Sequence, residues 1–180
     1  EVGEKIDNYV ITEVLAGGMS EVYRVFDGKE RYVLKIVKED ATEDNITLFR
    51  REIRILKNLN HPNIMEIVAD SYDSVRPYYV MPNCGKSFVD LACTQASELE
   101  LLDYTISFCE ATQYAHEAGV YHRDIKPQNV LLYNGIVKVS DFGLSRFVNR
   151  DTATMTKTST TAGTAGYMPP EYLTGEFKNG

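Results

Sequence analysis

Val130-Leu131-Leu132-Tyr133-Asn134-Gly135-Ile136-Val137-Lys138-Val139 decides how the chain folds: two short aliphatic and β-branched runs joined by Asn-Gly. Both central residues of a type I′ turn need φ above zero, and Asn-Gly is the pair that supplies this most readily, so the ten residues read as a β-hairpin with a two-residue loop. The turn sets the register. With Tyr133 opposite Ile136, Asn129 falls opposite Ser140 and Asp141 follows at the same open end. A carboxamide and a carboxylate then converge, a donor set that suits an oxygen-ligated Mg2+.

Toward the N-terminus, Tyr9-Val10-Ile11, Val22 to Phe26 and Tyr32 to Val37 read as strands, with a hairpin turn at Asp27-Gly28. Between Asn45 and Leu59, Ile46, Phe49, Ile53 and Leu56 recur at spacings of three and four and mark one face of a helix. Glu52 lies on that face, so its carboxylate is aimed at packed surface and needs a cationic partner. Residues 76 to 81 read as a strand ending at Pro82, and Glu98 to Ala118 as a helix with a broad apolar stripe stopped by Gly119. Strands first and helices later is the order of an α+β fold. From Asp151 to Thr164 threonine dominates without periodicity, which marks a surface loop long enough to carry function.

The composition, 43% hydrophobic and 25% charged, is that of a globular chain. A net charge of -7 argues against a nucleic-acid partner, since phosphate binding relies on clustered Lys and Arg. Cys84, Cys93 and Cys109 are odd in number and lack C-x-x-C spacing, so reduced thiols and a cytoplasmic location are expected. No apolar run approaches the ~20 residues that span a bilayer, so no membrane insertion by this segment is expected. The start at Glu1 rather than Met suggests a piece of something longer.

His122-Arg123-Asp124-Ile125-Lys126-Pro127-Gln128-Asn129 resembles the catalytic loop of eukaryotic-type protein serine/threonine kinases. Its five specified residues should coincide by chance on the order of once in a million positions, at roughly 5% usage per residue type. The resemblance implies a two-lobe kinase fold with residues 1–81 as a β-rich lobe, 82–85 as a hinge and 86–180 as part of a helical lobe. It implies transfer of the ATP γ-phosphate to Ser or Thr hydroxyls of a protein substrate, with Mg2+, or Mn2+ in its place. Asp124 is then the group that accepts or orients the hydroxyl proton, Lys126 steadies the transferring phosphoryl group, and Asn129 holds metal. Asp141 of Asp141-Phe142-Gly143 joins Asn129 on the metal, and Lys35, similar to the third-strand lysine, pairs with Glu52 to position the α- and β-phosphates. His122 is expected to be structural, stacking with Phe142, Leu56 and Ile67.

Leu15-Ala16-Gly17-Gly18-Met19-Ser20-Glu21-Val22 stands where kinases carry a glycine-rich phosphate loop. It keeps Gly17 but has Leu15 and Ser20 at the first and third glycine positions, and Gly18-Met19-Ser20 resembles the variant of bacterial relatives. Taken alone, it also fits a plain hairpin turn. By the same resemblance Val22, Val33 and Leu131 sandwich adenine, Met81 backs its pocket, and Cys84 belongs to the hinge. Gly163 to Glu171 resembles the end of an activation segment, with Thr164 and Lys126 in the serine/threonine pattern. Arg123 could pair with a phosphate on the Thr-rich stretch, where Thr156 and Thr158 match autophosphorylation positions; a polar linker is the plainer reading there. Kinases continue past Glu171, so the resemblance also implies a lower lobe truncated after the activation segment. The helix at 98–118 is then expected to show apolar surface that a dimer, a segment-supplying partner or the rest of the protein covers. The alternative to an active enzyme is a nucleotide-binding pseudokinase or docking module without turnover.

Overall fold

In the computed structural model, which describes residues 2–15, 17–18, 20–91, 96–147, 164–168 and 170, the strands anticipated near the N-terminus join one antiparallel sheet. They are β1 (Lys5–Ile6), β2 (Tyr9–Leu15), β3 (Ser20–Phe26), β4 (Arg31–Val37), β5 (Ala69–Asp70) and β6 (Tyr78–Pro82), in the order β1-β2-β3-β4-β6-β5. The turn at Asp27 spans four residues rather than two, because Phe26 pairs with Arg31. The Asp27 carboxylate accepts the amides of Lys29 and Glu30, both at 2.8 Å, and so closes the longer loop itself. Those main-chain donors hold its pKa below the ordinary value.

Helix α1 (Glu43–Asn58) begins two residues before the periodic stretch, because the Thr42 side chain caps it by accepting the Asn45 amide. Its buried residues include Phe49, Ile53 and Leu56. One face of the sheet is apolar, with Ile11, Val25, Leu34, Ile36, Tyr78 and Val80 in a single cluster. Burying each Val, Leu or Ile side chain of that cluster contributes about 1.5–3 kcal/mol. The Tyr78 hydroxyl, on the cluster's edge, donates to Asp7 Oδ2 at 2.5 Å and ties the N-terminal turn to β6. Burial first, and the Asp7 carboxylate second, push its pKa up.

These elements form one unit, Glu1–Asn60 with Met65–Gly85; the other is His61–Ile64 with Lys86–Gly180. In the second unit, β7 (Lys86–Ser87) leads into the short helix α2 (Phe88–Leu91), and α3 (Glu98–Glu117) follows, opened by a Ser97–Glu100 capping box. Gly119 ends it at φ 74°. Leu99, Leu101, Leu102 and Ile106 on α3 are exposed, and its buried residues are Ala111 and Ala115. Strand β8 (Val120–Tyr121) pairs with β11 (Arg146–Phe147).

Between them lie β9 (Val130–Tyr133) and β10 (Ile136–Val139), paired from Tyr133↔Ile136 to Val130↔Val139. Asn134 and Gly135 have φ of 51° and 79°, the left-handed pair of a type I′ turn. Beyond the hairpin the Ser140 amide donates to the Asn129 carbonyl at 2.9 Å, so Asn129 does lie opposite Ser140. Asn63 fastens the segment His61–Ile64 to this hairpin by donating from Nδ2 to the Val137 carbonyl and accepting the Val139 amide.

Candidate active site

In the first unit, β4 and α1 bring Lys35 and Glu52 together. Lys35 Nζ lies 2.8 Å from Oε1 and 3.1 Å from Oε2, and Glu52 is 2% exposed. The cation that helix periodicity demanded is therefore the lysine of the neighbouring strand. Strand periodicity alone gives Tyr79 no role, yet its hydroxyl donates to Glu52 Oε1 at 2.9 Å. The signal that could have found it is register, because Tyr79 is the cross-strand partner of Lys35.

Leu15 pairs with Val22 where β2 and β3 meet the loop, and Ser20 is buried. Gly17 is required there: a Cβ on it would stand 2.2 Å from the Ser20 carbonyl oxygen. Gly18 meets nothing within 4 Å. Val33 is buried and pairs with Met81, while Cys84 is half-buried. Leu131 lies in the second unit, on β9 opposite Lys138. Thr156 and Thr158, with Gly163, Pro169 and Glu171, lie outside the described residues.

The second unit gathers the catalytic-loop residues. Arg123 and Asp141 take left-handed φ of 68° and 62°, a conformation that costs a non-glycine residue on the order of 1–2 kcal/mol. Buried His122 accepts the Asp124 amide at Nδ1 and bonds the Ser140 carbonyl at 2.8 Å through Nε2, which fixes the Nε2–H tautomer. Its ring also packs on Phe142, centroids 4.6 Å apart.

Both Asp124 oxygens are engaged. Oδ1 accepts the Thr164 amide at 2.9 Å and its hydroxyl at 2.8 Å, while Oδ2 lies 2.7 Å from Lys126 Nζ and 3.3 Å from Asn129 Nδ2. Lys126 Nζ also donates to Thr164 Oγ1 at 2.8 Å, so lysine, threonine and aspartate form a closed ring of hydrogen bonds. Burial alone would raise the Asp124 pKa; the bonds from Lys126 and Thr164, with the lysine charge, outweigh it and leave the pKa lowered.

The sign follows from linkage. A carboxyl depressed in the folded state contributes stability above its unfolded value of about 3.9, and that contribution is lost as pH falls through the folded value. Lys126→Ala removes a lowering influence and brings the folded value closer to the unfolded one, so the share of stability lost on acidification should shrink; urea midpoints measured between about pH 2.5 and 7 test this. An unchanged loss would contradict the charge balance given for Asp124.

A sequence profile of the protein kinase domain matches residues 9–179. The chain belongs to the protein kinase family. This kinase domain is 38% identical, over 89% of its length and 26% of the other's, to a probable serine/threonine-protein kinase of Streptomyces coelicolor. It is 36% identical to the probable serine/threonine-protein kinase PknB of Corynebacterium glutamicum, over 94% of this chain and 28% of that one. The Aurora kinase of Dictyostelium discoideum is 34% identical over 93% of the chain and 45% of its own length. The kinase domain thus spans about a quarter of the length of the bacterial relatives it matches. Its α+β architecture, with a β-rich unit that carries α1 and a second unit that carries residues 122–129, is that of the family.

The donor chemistry of this kinase domain fits a magnesium ion. Asn129 Nδ2 is taken up by the Asp124 carbonyl at 2.9 Å and by its carboxylate, which leaves Oδ1 as the atom to offer a cation. Asp141 follows Ser140 at the same end of the hairpin, adding a carboxylate. Among the described residues, no cluster of three or more His, Cys, Asp and Glu could hold a metal. Mg2+ needs no such cage, because it is commonly held by one or two carboxylates together with substrate phosphates.

Proposed function

We propose that this kinase domain transfers the γ-phosphate of ATP to a serine or threonine hydroxyl of a protein substrate. The observation that carries the reading is the ring of Asp124, Lys126 and Thr164: one carboxylate, one ammonium and one hydroxyl held within 2.8 Å of each other. Asp124, kept ionised by those partners, orients the attacking hydroxyl and takes its proton as the new O–P bond forms and the bond from Pγ to the β-phosphate oxygen breaks, releasing ADP. Lys126 faces the charge on the transferring group, and Thr164 keeps lysine and aspartate at a fixed spacing. Lys35, held by Glu52, meets the α- and β-phosphates, with Gly17 and Gly18 in the loop that covers them and Val22, Val33, Met81, Cys84 and Leu131 about the base. Asn129 and Asp141 would hold Mg2+, or Mn2+. When bound, the ion neutralises charge on the β- and γ-phosphate oxygens.

We infer a cytoplasmic setting for this segment from Cys84 and Cys109, which stand outside any disulfide. Among the described residues no helix is long and apolar enough to cross a membrane. Arg123, next to Asp124 in the catalytic loop, is the proposed partner for a phosphate on Thr156 or Thr158, added by the protein itself. Incubation of the full-length protein with radiolabelled ATP, Mg2+ and a protein acceptor, followed by acid hydrolysis, should yield labelled phosphoserine or phosphothreonine. Label confined to phosphotyrosine, or none, would sink the reading.

A further inference from the structure

Lys35 on β4 and Tyr79 on β6 are directly opposed in the antiparallel ladder, so both side chains leave the sheet on the same side. Tyr79 is 1% exposed. Its hydroxyl reaches Glu52 Oε1 at 2.9 Å, the oxygen that Lys35 Nζ approaches to 2.8 Å. Its ring centre lies 5.9 Å from the ammonium and 5.6 Å from the ring of Phe49, three residues before Glu52 on α1. One tyrosine therefore touches both charged partners and the helix that carries one of them.

A buried ion pair keeps a single geometry only when its remaining lone pairs find donors. Lysine is a poor source of direction, being a point charge on a flexible stem with rotatable donors. Tyrosine has two side-chain torsions, and Phe49 packs against its ring, so its hydroxyl is a fixed point. Take the hydroxyl away, and the Glu52 carboxylate can turn to share itself differently with the ammonium, carrying Nζ with it.

We propose that Tyr79 is a positioning residue of this kinase domain: acting through Glu52, its hydroxyl sets where Lys35 Nζ meets the nucleotide phosphates. The inference rests on the role given to Lys35 above. Its test uses the full chain and its Tyr79→Phe, Glu52→Gln, Tyr79→Phe/Glu52→Gln and Lys35→Met variants. The first readout is the split between kcat and the KM for ATP, and the second is the phosphorus NMR shift of the β-phosphate of a bound non-hydrolysable ATP analogue with Mg2+.

Tyr79→Phe should lower kcat about tenfold, the scale of one lost hydrogen bond to a charged group, with KM changed by less than about twofold. The β-phosphate resonance should move in the direction that Lys35→Met moves it. In the Glu52→Gln background the tyrosine substitution should change neither quantity, because the coupling runs through the carboxylate. Equal losses in both backgrounds, or a lower melting temperature with kcat and resonance untouched, would overturn the proposal. Should Tyr79→Phe not fold, 3-fluorotyrosine at position 79, a more acidic and stronger donor, should shift the resonance; an unmoved signal overturns the proposal equally. If Lys35→Met slows transfer and Tyr79→Phe does not, this inference alone falls. If Lys35→Met changes neither rate nor resonance, the role of Lys35 falls and takes the inference with it.

Discussion

Asp124→Asn should reduce phosphoryl transfer by a factor on the order of 10³–10⁴, the upper part of the range for losing a positioned general base. The upper part applies because the exchange is isosteric without being equivalent. Asp124 accepts from Thr164 on one oxygen and from Lys126 and Asn129 on the other. An asparagine that keeps its oxygen toward Thr164 turns an NH2 group toward an ammonium and an amide, donors facing donors. Lys126 then loses its anchor together with the base, and two groups of the transfer step leave at once. Initial rates at saturating ATP, with circular dichroism to establish that the variant is folded, measure the effect. A rate within tenfold of wild type would remove Asp124 from the chemistry.

Asp141→Asn should cost on the order of 10²–10³ in kcat, the scale of removing one charge-stabilising group, and should raise the Mg2+ concentration needed for half-maximal rate. Asp141 sits at φ 62°, and asparagine tolerates that left-handed conformation as well as aspartate does. The backbone of the turn is therefore retained while the negative charge is lost, so the change reports on the cation and not on the fold. A titration with Mg2+ and with Mn2+ separates the two contributions, and an unchanged metal requirement would argue against Asp141 as a ligand.

The sequence made some of this legible and hid the rest for identifiable reasons. Asn134-Gly135 announces its turn because few other pairs accept two positive φ angles, and the register of β9 and β10 follows from it. The need of Glu52 for a cation is visible because helix spacing places it between Phe49 and Leu56. The hydroxyl of Tyr79 is not visible, since alternation along a strand tells which face a residue takes but not which atom its tip will reach. The hold of Thr164 on Asp124 spans 40 residues of sequence, most of them without periodicity, so local patterning carries no trace of it. Arg123 likewise gives no warning of its left-handed backbone, because arginine has no preference for that conformation.

Tyr78 and Tyr79 are neighbours on β6, yet one hydroxyl is fastened to Asp7 and the other to Glu52. The two contacts lie on opposite faces of one strand, like the two heads of a rivet. Misregistration of β6 by a single residue would put either Pro77 in the place of Tyr78 or Val80 in the place of Tyr79, and neither carries a side-chain donor for Asp7 or Glu52. The strand thus carries its own proofreading, because whichever way it slips one of its two hydroxyl anchors is lost.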